Sequence, residues 1–259
     1  MLKKLLKYDF KSLIQTLLPI YGIALILSII SNIFIRLNKI TPIFRIPASF
    51  IIGLSILMCI GTVFITFIVG IVKFYKQTVK DEGYLLHTLP VSKNNIIISK
   101  LLSLITMEVL SLIVAITTLL ITINIEPSKV IDTIKFMIET IGEYKLTALL
   151  FTLAVFIGQI TNTLLIYVSI SFGQKHSTNK LLYSIIYGIA IYNITQIITA
   201  LIYLPLLLNP NYIEALSQTI PESQILNVML IITSLISLTI GSVYYILTKK
   251  NLENKLNLE

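Results

Sequence analysis

Six long apolar runs alternate with short polar segments along this chain, at roughly 15–35, 48–72, 101–125, 146–171, 181–207 and 225–247. Each exceeds the roughly 18 residues at which an apolar run reads as a membrane span, since about 20 residues at 1.5 Å rise cross the ~30 Å hydrocarbon layer. The runs are rich in Ile, Leu and Val and lack the strict alternation of a barrel strand. A backbone in lipid must satisfy its own hydrogen bonds, and a helix does this within one segment. The pattern predicts an all-α membrane protein of six transmembrane helices, forming one transmembrane domain over residues 1–259.

The segments between the runs carry their own periodicities. Lys3, Lys7 and Lys11 repeat at helical spacing, while Leu2, Leu5, Leu6, Phe10, Leu13 and Ile14 fill the opposite arc. This predicts an amphipathic N-terminal helix lying in the membrane interface and leading into the first span near Pro19. In 128–144, Val130, Ile131, Ile134, Met137, Ile138 and Ile141 form a second such stripe. Pro205, Pro210 and Pro221 predict a short, broken hairpin over 205–224. No segment reaches the ~100 residues of a typical domain, so a soluble catalytic domain between spans is not expected.

The segment 73–100 is more elaborate than a tether needs to be. Asp81-Glu82-Gly83 breaks the helix that leaves the second span, glycine supplying a backbone conformation that other residues resist. Leu89-Pro90-Val91-Ser92 follows; Pro90 holds Leu89 extended, and Ser92 is a candidate N-cap. A new helical pattern then runs from Lys93 through Ile96, Ile97 and Lys100 into the third span. The predicted element is a short helix between spans two and three, rigidly joined to the third.

Composition agrees with the membrane reading. Charged residues make up 12% and hydrophobic residues 56% of the chain, where soluble proteins are about 25% charged. The mean hydropathy is +0.91. Lysines cluster at the N-terminus (Lys3, Lys4, Lys7, Lys11), in the 73–100 loop (Lys73, Lys76, Lys80, Lys93, Lys100), at Lys175 and Lys180, and in the tail (Lys249, Lys250, Lys255). They outnumber Arg36, Lys39, Arg45, Lys129, Lys135 and Lys145 on the opposite side. The positive-inside rule therefore predicts cytoplasmic termini and a cytoplasmic 73–100 loop. The net charge of +8 is met by anionic membrane lipid, and no nucleic-acid partner is expected. The first run is too long for the core of a signal peptide, so no cleavage is expected there.

Little in the chain carries chemistry. It has no G-x-x-x-x-G-K-[ST], no H-E-x-x-H and no G-x-S-x-G, and its histidines, His87 and His176, fall in different loops. The lone Cys59 lies in the second run, as a small buried residue would. No catalytic, cofactor-binding or metal-ligating residue is assigned. Glu108 is the one charge inside an apolar run, about two turns into the third, and an ionisable residue there is a candidate for a substrate path or gate. Snorkelling, or pairing with a lysine such as Lys100, is the alternative. Asn193 and Gln196 are further path candidates. Gly158, Asn162, Gly188, Ser237 and Gly241 fall on small-residue and amide stripes suited to helix packing.

The loop's order FYK…DEGYL…TLPVS…SK is carried here by Phe74, Tyr75, Lys76, Asp81, Glu82, Gly83, Tyr84, Leu85, Thr88, Leu89, Pro90, Val91, Ser92, Ser99 and Lys100. It resembles the membrane-spanning permease subunits of bacterial type-2 (exporter) ABC transporters, Firmicutes-like in detail. The lysine-rich N-terminal helix and the ending from Lys255 to Glu259 look similar as well, and span count and orientation agree. The resemblance implies a multi-pass subunit of the bacterial cytoplasmic membrane that pairs with a second permease, identical or homologous. It implies an ATPase-coupling loop of Asp81, Glu82, Gly83, Tyr84, Leu89, Pro90, Val91, Ser92 and Lys93, docked on a separate ATP-binding ABC subunit that holds ATP and magnesium. The chain itself would need no cofactor and would not be an enzyme. His87 departs from the family, which usually carries an apolar residue there. A reading from another class is a stand-alone membrane-embedded regulatory protein or enzyme of unknown chemistry. It would need a polar catalytic cluster near a membrane surface, and the sequence offers none.

Overall fold

The computed structural model describes residues 2–79, 91–123, 131–132, 135, 139, 141–142, 144–176, 178–208 and 221–254. Six long helices account for nearly all of them: α1 (Leu2–Ile40), α2 (Arg45–Val79), α3 (Lys93–Thr122), α4 (Lys145–Gly173), α5 (Lys180–Leu207) and α6 (Glu222–Asn254). All six are long and apolar enough to cross a membrane, so the protein is a multi-pass membrane protein. No strand occurs among the described residues. Each helix outruns the apolar run that announced it. α1 has 39 residues, about 58 Å at the helical rise. Hydropathy marks only the lipid-facing stretch, whereas a helix continues until a breaker stops it.

The breaker after α1 is Thr41-Pro42. Thr41 is extended (φ −137°, ψ 122°) and Pro42 opens a one-turn 3-10 helix, Pro42–Phe44. Phe34 and Phe44 meet edge to face at 6.0 Å across the turn. Pro19 leaves α1 continuous, so residues 2–14 are the first turns of the span helix rather than a separate element. Their pattern is amphipathic as expected, with Lys3, Lys4, Lys7 and Lys11 exposed. The apolar arc, however, serves helix packing: Phe10, Leu13 and Ile14 lie in one cluster with Leu17, Tyr21 and Met107. Most of the 128–144 stripe and the middle of the 205–224 hairpin lie outside the described residues. Pro205 sits in the last turn of α5, and Pro221 directly precedes α6.

The chain divides into two compact units, one holding α1, α2 as far as Thr78, and α3, the other holding α4, α5 and α6. In the first, two cross-helix bonds and one shared hydroxyl pair tie α2 to α1 and α3, and a third bond joins α1 directly to α3. Tyr21 shares a hydrogen bond with Thr66 at 2.8 Å. Ser55 donates to the Leu27 carbonyl at 3.2 Å, and the Cys59 thiol to that of Ala115 at 3.2 Å. At the far end the Asn32 amide donates to the Ile121 carbonyl at 2.8 Å. Other buried hydroxyls, among them Thr62, Thr66, Ser111 and Thr118, turn back onto carbonyls three or four residues earlier in their own helices. This satisfies them without water and keeps the helix surfaces narrow.

In the second unit α4 packs against both α5 and α6. The Thr161 hydroxyl donates to the Ser237 carbonyl at 3.0 Å, beside Gly241, where an added Cβ would meet Thr161 Oγ1 at 2.9 Å. Asn251 donates to Ser171 Oγ at 3.0 Å at the other end. Gly188 faces Ser169 at ordinary van der Waals distance, while a Cβ on Gly158 would meet nothing within 4 Å. The tightest approach involves a glycine absent from the sequence stripes. Gly173 ends α4, and the turn through Asn179, in the left-handed region at φ 52°, folds α5 directly onto it. A Cβ on Gly173 would lie 2.7 Å from the Ser184 nitrogen and 2.8 Å from the Lys180 carbonyl oxygen. Both atoms are backbone and neither can swing aside. Gly173→Ala is expected to destabilise the protein by about 1–3 kcal/mol through overpacking, and Gly158→Ala to be near neutral, as thermal unfolding of the detergent-solubilised chain would read directly.

Candidate functional site

Of the loop residues singled out above, Val91, Ser92 and Lys93 are described; Asp81, Glu82, Gly83, Tyr84, Leu89 and Pro90 lie outside the described residues. Ser92 is the N-cap of α3. Its backbone is extended (φ −63°, ψ 143°), and its hydroxyl accepts from the Asn95 amide at 3.4 Å. Its carbonyl accepts from the amides of Asn95 and Ile96 at 3.0 and 3.3 Å. The cap meets amides that would otherwise have no partner in the helix. One turn on, Ile96 and Ile97 are wholly buried. The end of the loop is thus packed into the first unit from its first helical turn.

The next turn brings a buried ionic cluster onto the same end. Lys100, 5% exposed, pairs with Asp9 of α1, 12% exposed, at 3.2 Å. The Ser99 hydroxyl donates to the other Asp9 oxygen at 2.5 Å. Lys100 also donates to the Gln77 side-chain oxygen of α2. Lys73, a turn earlier on α2, donates to the Ser12 hydroxyl of α1 at 2.7 Å and to the Ser12 carbonyl. Three helix segments are therefore held by charge-assisted hydrogen bonds in a place largely closed to water. A buried charge is tolerated only when its partners are in place, and removing one leaves the other uncompensated. The cluster is a joint that either holds as a whole or fails.

Asp9 was not singled out from the sequence, although a signal existed. It is the sole acidic residue of α1, set between Lys7 and Lys11. An acid in a lysine-rich stripe relieves the repulsion only locally, unless it meets a cation on another helix. From the sequence Lys100 is a loop charge and a candidate partner for Glu108; the structure pairs it with Asp9.

Glu108 lies two turns further along α3 and is 6% exposed, so its side chain does not snorkel to a surface. It adjoins Met107, whose carbonyl accepts from the Tyr21 hydroxyl at 3.4 Å. Tyr21, Thr66 and the Met107 carbonyl thus bring the three helices of the first unit together one residue from Glu108.

The second unit gathers part of the remaining candidates. Thr161 and Asn162 of α4, Gln196 and Tyr203 of α5, and Thr233 and Ser237 of α6 line a cavity of about 130 Å³. Two residues marked for packing, Asn162 and Ser237, thus sit beside a residue marked for a path. Asn193 is exposed and donates to the Ile189 carbonyl at 2.7 Å in its own helix. At the α4–α5 turn His176 stacks on Tyr183 with ring centres 3.6 Å apart, and its Nε2 lies 3.3 Å from the Tyr187 hydroxyl. Lys175 stands 4.0 Å over the Phe172 ring. These contacts absorb the histidine into an aromatic stack that closes the turn.

Lys100→Met, which leaves Asp9 buried without its cation, is expected to cost about 3–5 kcal/mol. Adding Asp9→Leu to it should recover a large part of that loss, because no uncompensated charge then remains. A double-substitution cycle on thermal or denaturant unfolding in detergent measures both. No family model matches this chain, and the searches of curated proteins and of solved structures return no match.

Proposed function

We propose that the protein is the permease subunit of a bacterial type-2 ABC exporter, driven by a separate ATP-hydrolysing subunit. The observation that carries this reading is the way the 73–100 segment ends. A tether between two spans would need no fixed anchor. Here the chain leaving the loop enters a Ser92-capped helix, buries Ile96 and Ile97 at once, and locks Lys100 to α1 and α2. A displacement applied to the loop is passed to three helices together, because the buried ion pair resists sliding of one past another. That is the mechanical property a coupling element requires.

The loop residues that resemble those permeases supply the rest of the reading. Asp81 and Glu82 offer charge to a soluble partner, Gly83 and Pro90 shape the turn, and Ser92 and Lys93 start the lever. On the positive-inside rule this loop faces the cytoplasm, where an ATPase would be met. The permease works paired with a second copy or a homologue, in the bacterial cytoplasmic membrane, and ATP and magnesium reside on the partner subunit. Glu108, buried two turns behind the joint, would respond when α3 moves.

Tagged protein purified from its native membrane is expected to bring down an ATP-binding subunit with a Walker A motif. Reversing the loop charges, Asp81→Lys with Glu82→Lys, should abolish that association or leave ATP hydrolysis uncoupled from transport. Normal association and coupling in the reversed variant would sink the reading. Glu108→Gln is expected to lower transport while the ATPase still binds; unchanged transport and coupling in a normally expressed variant would remove Glu108 from the mechanism.

A further inference from the structure

We propose that the cavity among α4, α5 and α6 is a binding site for the uncharged hydroxyl headgroup of a neutral glycerolipid of the bilayer. The inference rests on the second unit alone and stands apart from the export reading. The cavity lies in the middle of the helices: Gln196 is about 24 Å along α5 from its first residue, and Asn162 and Ser237 are near the midpoints of α4 and α6. Tyr192 and Gln196, which line it, are exposed, and Thr233 beside them bonds only within the protein. Polar groups facing hydrocarbon without partners cost several kcal/mol each. Something polar therefore fills this place, and about 130 Å³ has room for several waters or one small headgroup.

The lining selects the chemistry. Every described residue around the cavity is uncharged, so an anionic or cationic headgroup would be taken out of water with no counter-charge to meet it. The hydroxyls of Thr161, Thr195 and Thr199 each spend their one proton on a backbone carbonyl. Thr233 lies within hydrogen-bond distance of both the Met229 carbonyl and the Tyr203 hydroxyl. These threonine oxygens remain as acceptors, and the buried Tyr244 hydroxyl adds a group that can donate or accept. The Asn162 and Gln196 amides can do both, which suits a group that both donates and accepts, as glycerol hydroxyls do. Close in sequence to lining positions of α5 and α6, Ile197, Leu201, Leu235 and Leu238 are exposed aliphatics. They offer an acyl chain a surface continuous with the headgroup pocket. Water alone would use the polar lining but not this apolar border.

The test uses the full-length chain in nanodiscs of phosphatidylcholine and phosphatidylglycerol. It is photolabelled with a diazirine-bearing monoacylglycerol, and the labelled peptides are located by mass spectrometry. Labelling is expected to saturate on the peptides holding Gln196 and Thr233. Unlabelled monoolein should compete for it, and oleic acid and oleylamine should not. Gln196→Leu and Thr233→Val should each lower labelling about fivefold, the loss of one hydrogen bond of about 1 kcal/mol. Both replacements keep volume and suit lipid, and an unchanged elution profile verifies the fold; Thr199→Val takes the place of either variant that aggregates. Labelling spread without saturation over all six helices, equal competition by the charged amphiphiles, or full labelling in the variants would overturn the proposal.

Discussion

In a bilayer no water stands ready to accept a stray hydrogen bond, and that constraint governs every level of this protein. It makes each span a helix, because only there does the backbone close its own bonds. It also governs the side chains. Buried hydroxyls at Ser28, Thr62, Thr66, Thr118 and Thr122 bond to carbonyls within their own helices. A smaller set, Ser55, Cys59, Asn32 and Thr161, reaches across to a neighbour. Between helices in lipid there is little hydrophobic drive, so close contact and these few bonds of about 0.6–2 kcal/mol decide which faces meet.

Against that background the buried ionic joint of α1, α2 and α3 stands out. Elsewhere in the first unit the helices meet mainly through apolar side chains and single hydrogen bonds such as those of Ser55, Cys59 and Asn32. Asp9 and Lys100 cannot separate without leaving charge uncompensated. Ser99, Gln77, Ser12 and Lys73 complete the arrangement. The first unit thus has a stiff end, next to the loop, and a softer remainder. The second unit is built differently, around close backbone approach at Gly173 and Gly241 and a neutral polar cavity. Thr161, Asn251 and Tyr203 bond there across helices to uncharged partners.

The sequence made the number and nature of the helices legible because hydropathy is a local property. It also made Ser92 legible as a cap, since the serine follows a proline-restricted pair and precedes a helical pattern. Helix ends were read short, because the last turns of α1, α2 and α6 are polar and hydropathy falls before the helix stops. The stripe Phe10, Leu13, Ile14 is legible as apolar, but an amphipathic face does not say what covers it, and here it packs with Leu17, Tyr21 and Met107. The same ambiguity separates Gly158, where a Cβ would meet open space, from Gly241, where it would meet Thr161.

What the sequence determined by itself was therefore one-dimensional: six lipid-crossing helices, their breakers, and the loop whose residues differ from a plain tether. Partnerships between helices were decided only in three dimensions. Asp9 and Lys100 are 91 positions apart, and Thr161 and Ser237 are 76 apart; no periodicity within a helix encodes either meeting. Gly173 matters because a turn at Asn179 brings the backbone of α5 onto it, which no stripe within α4 could reveal. Hydrogen bonding along a helix is local, whereas packing and charge pairing depend on which faces the turns bring together.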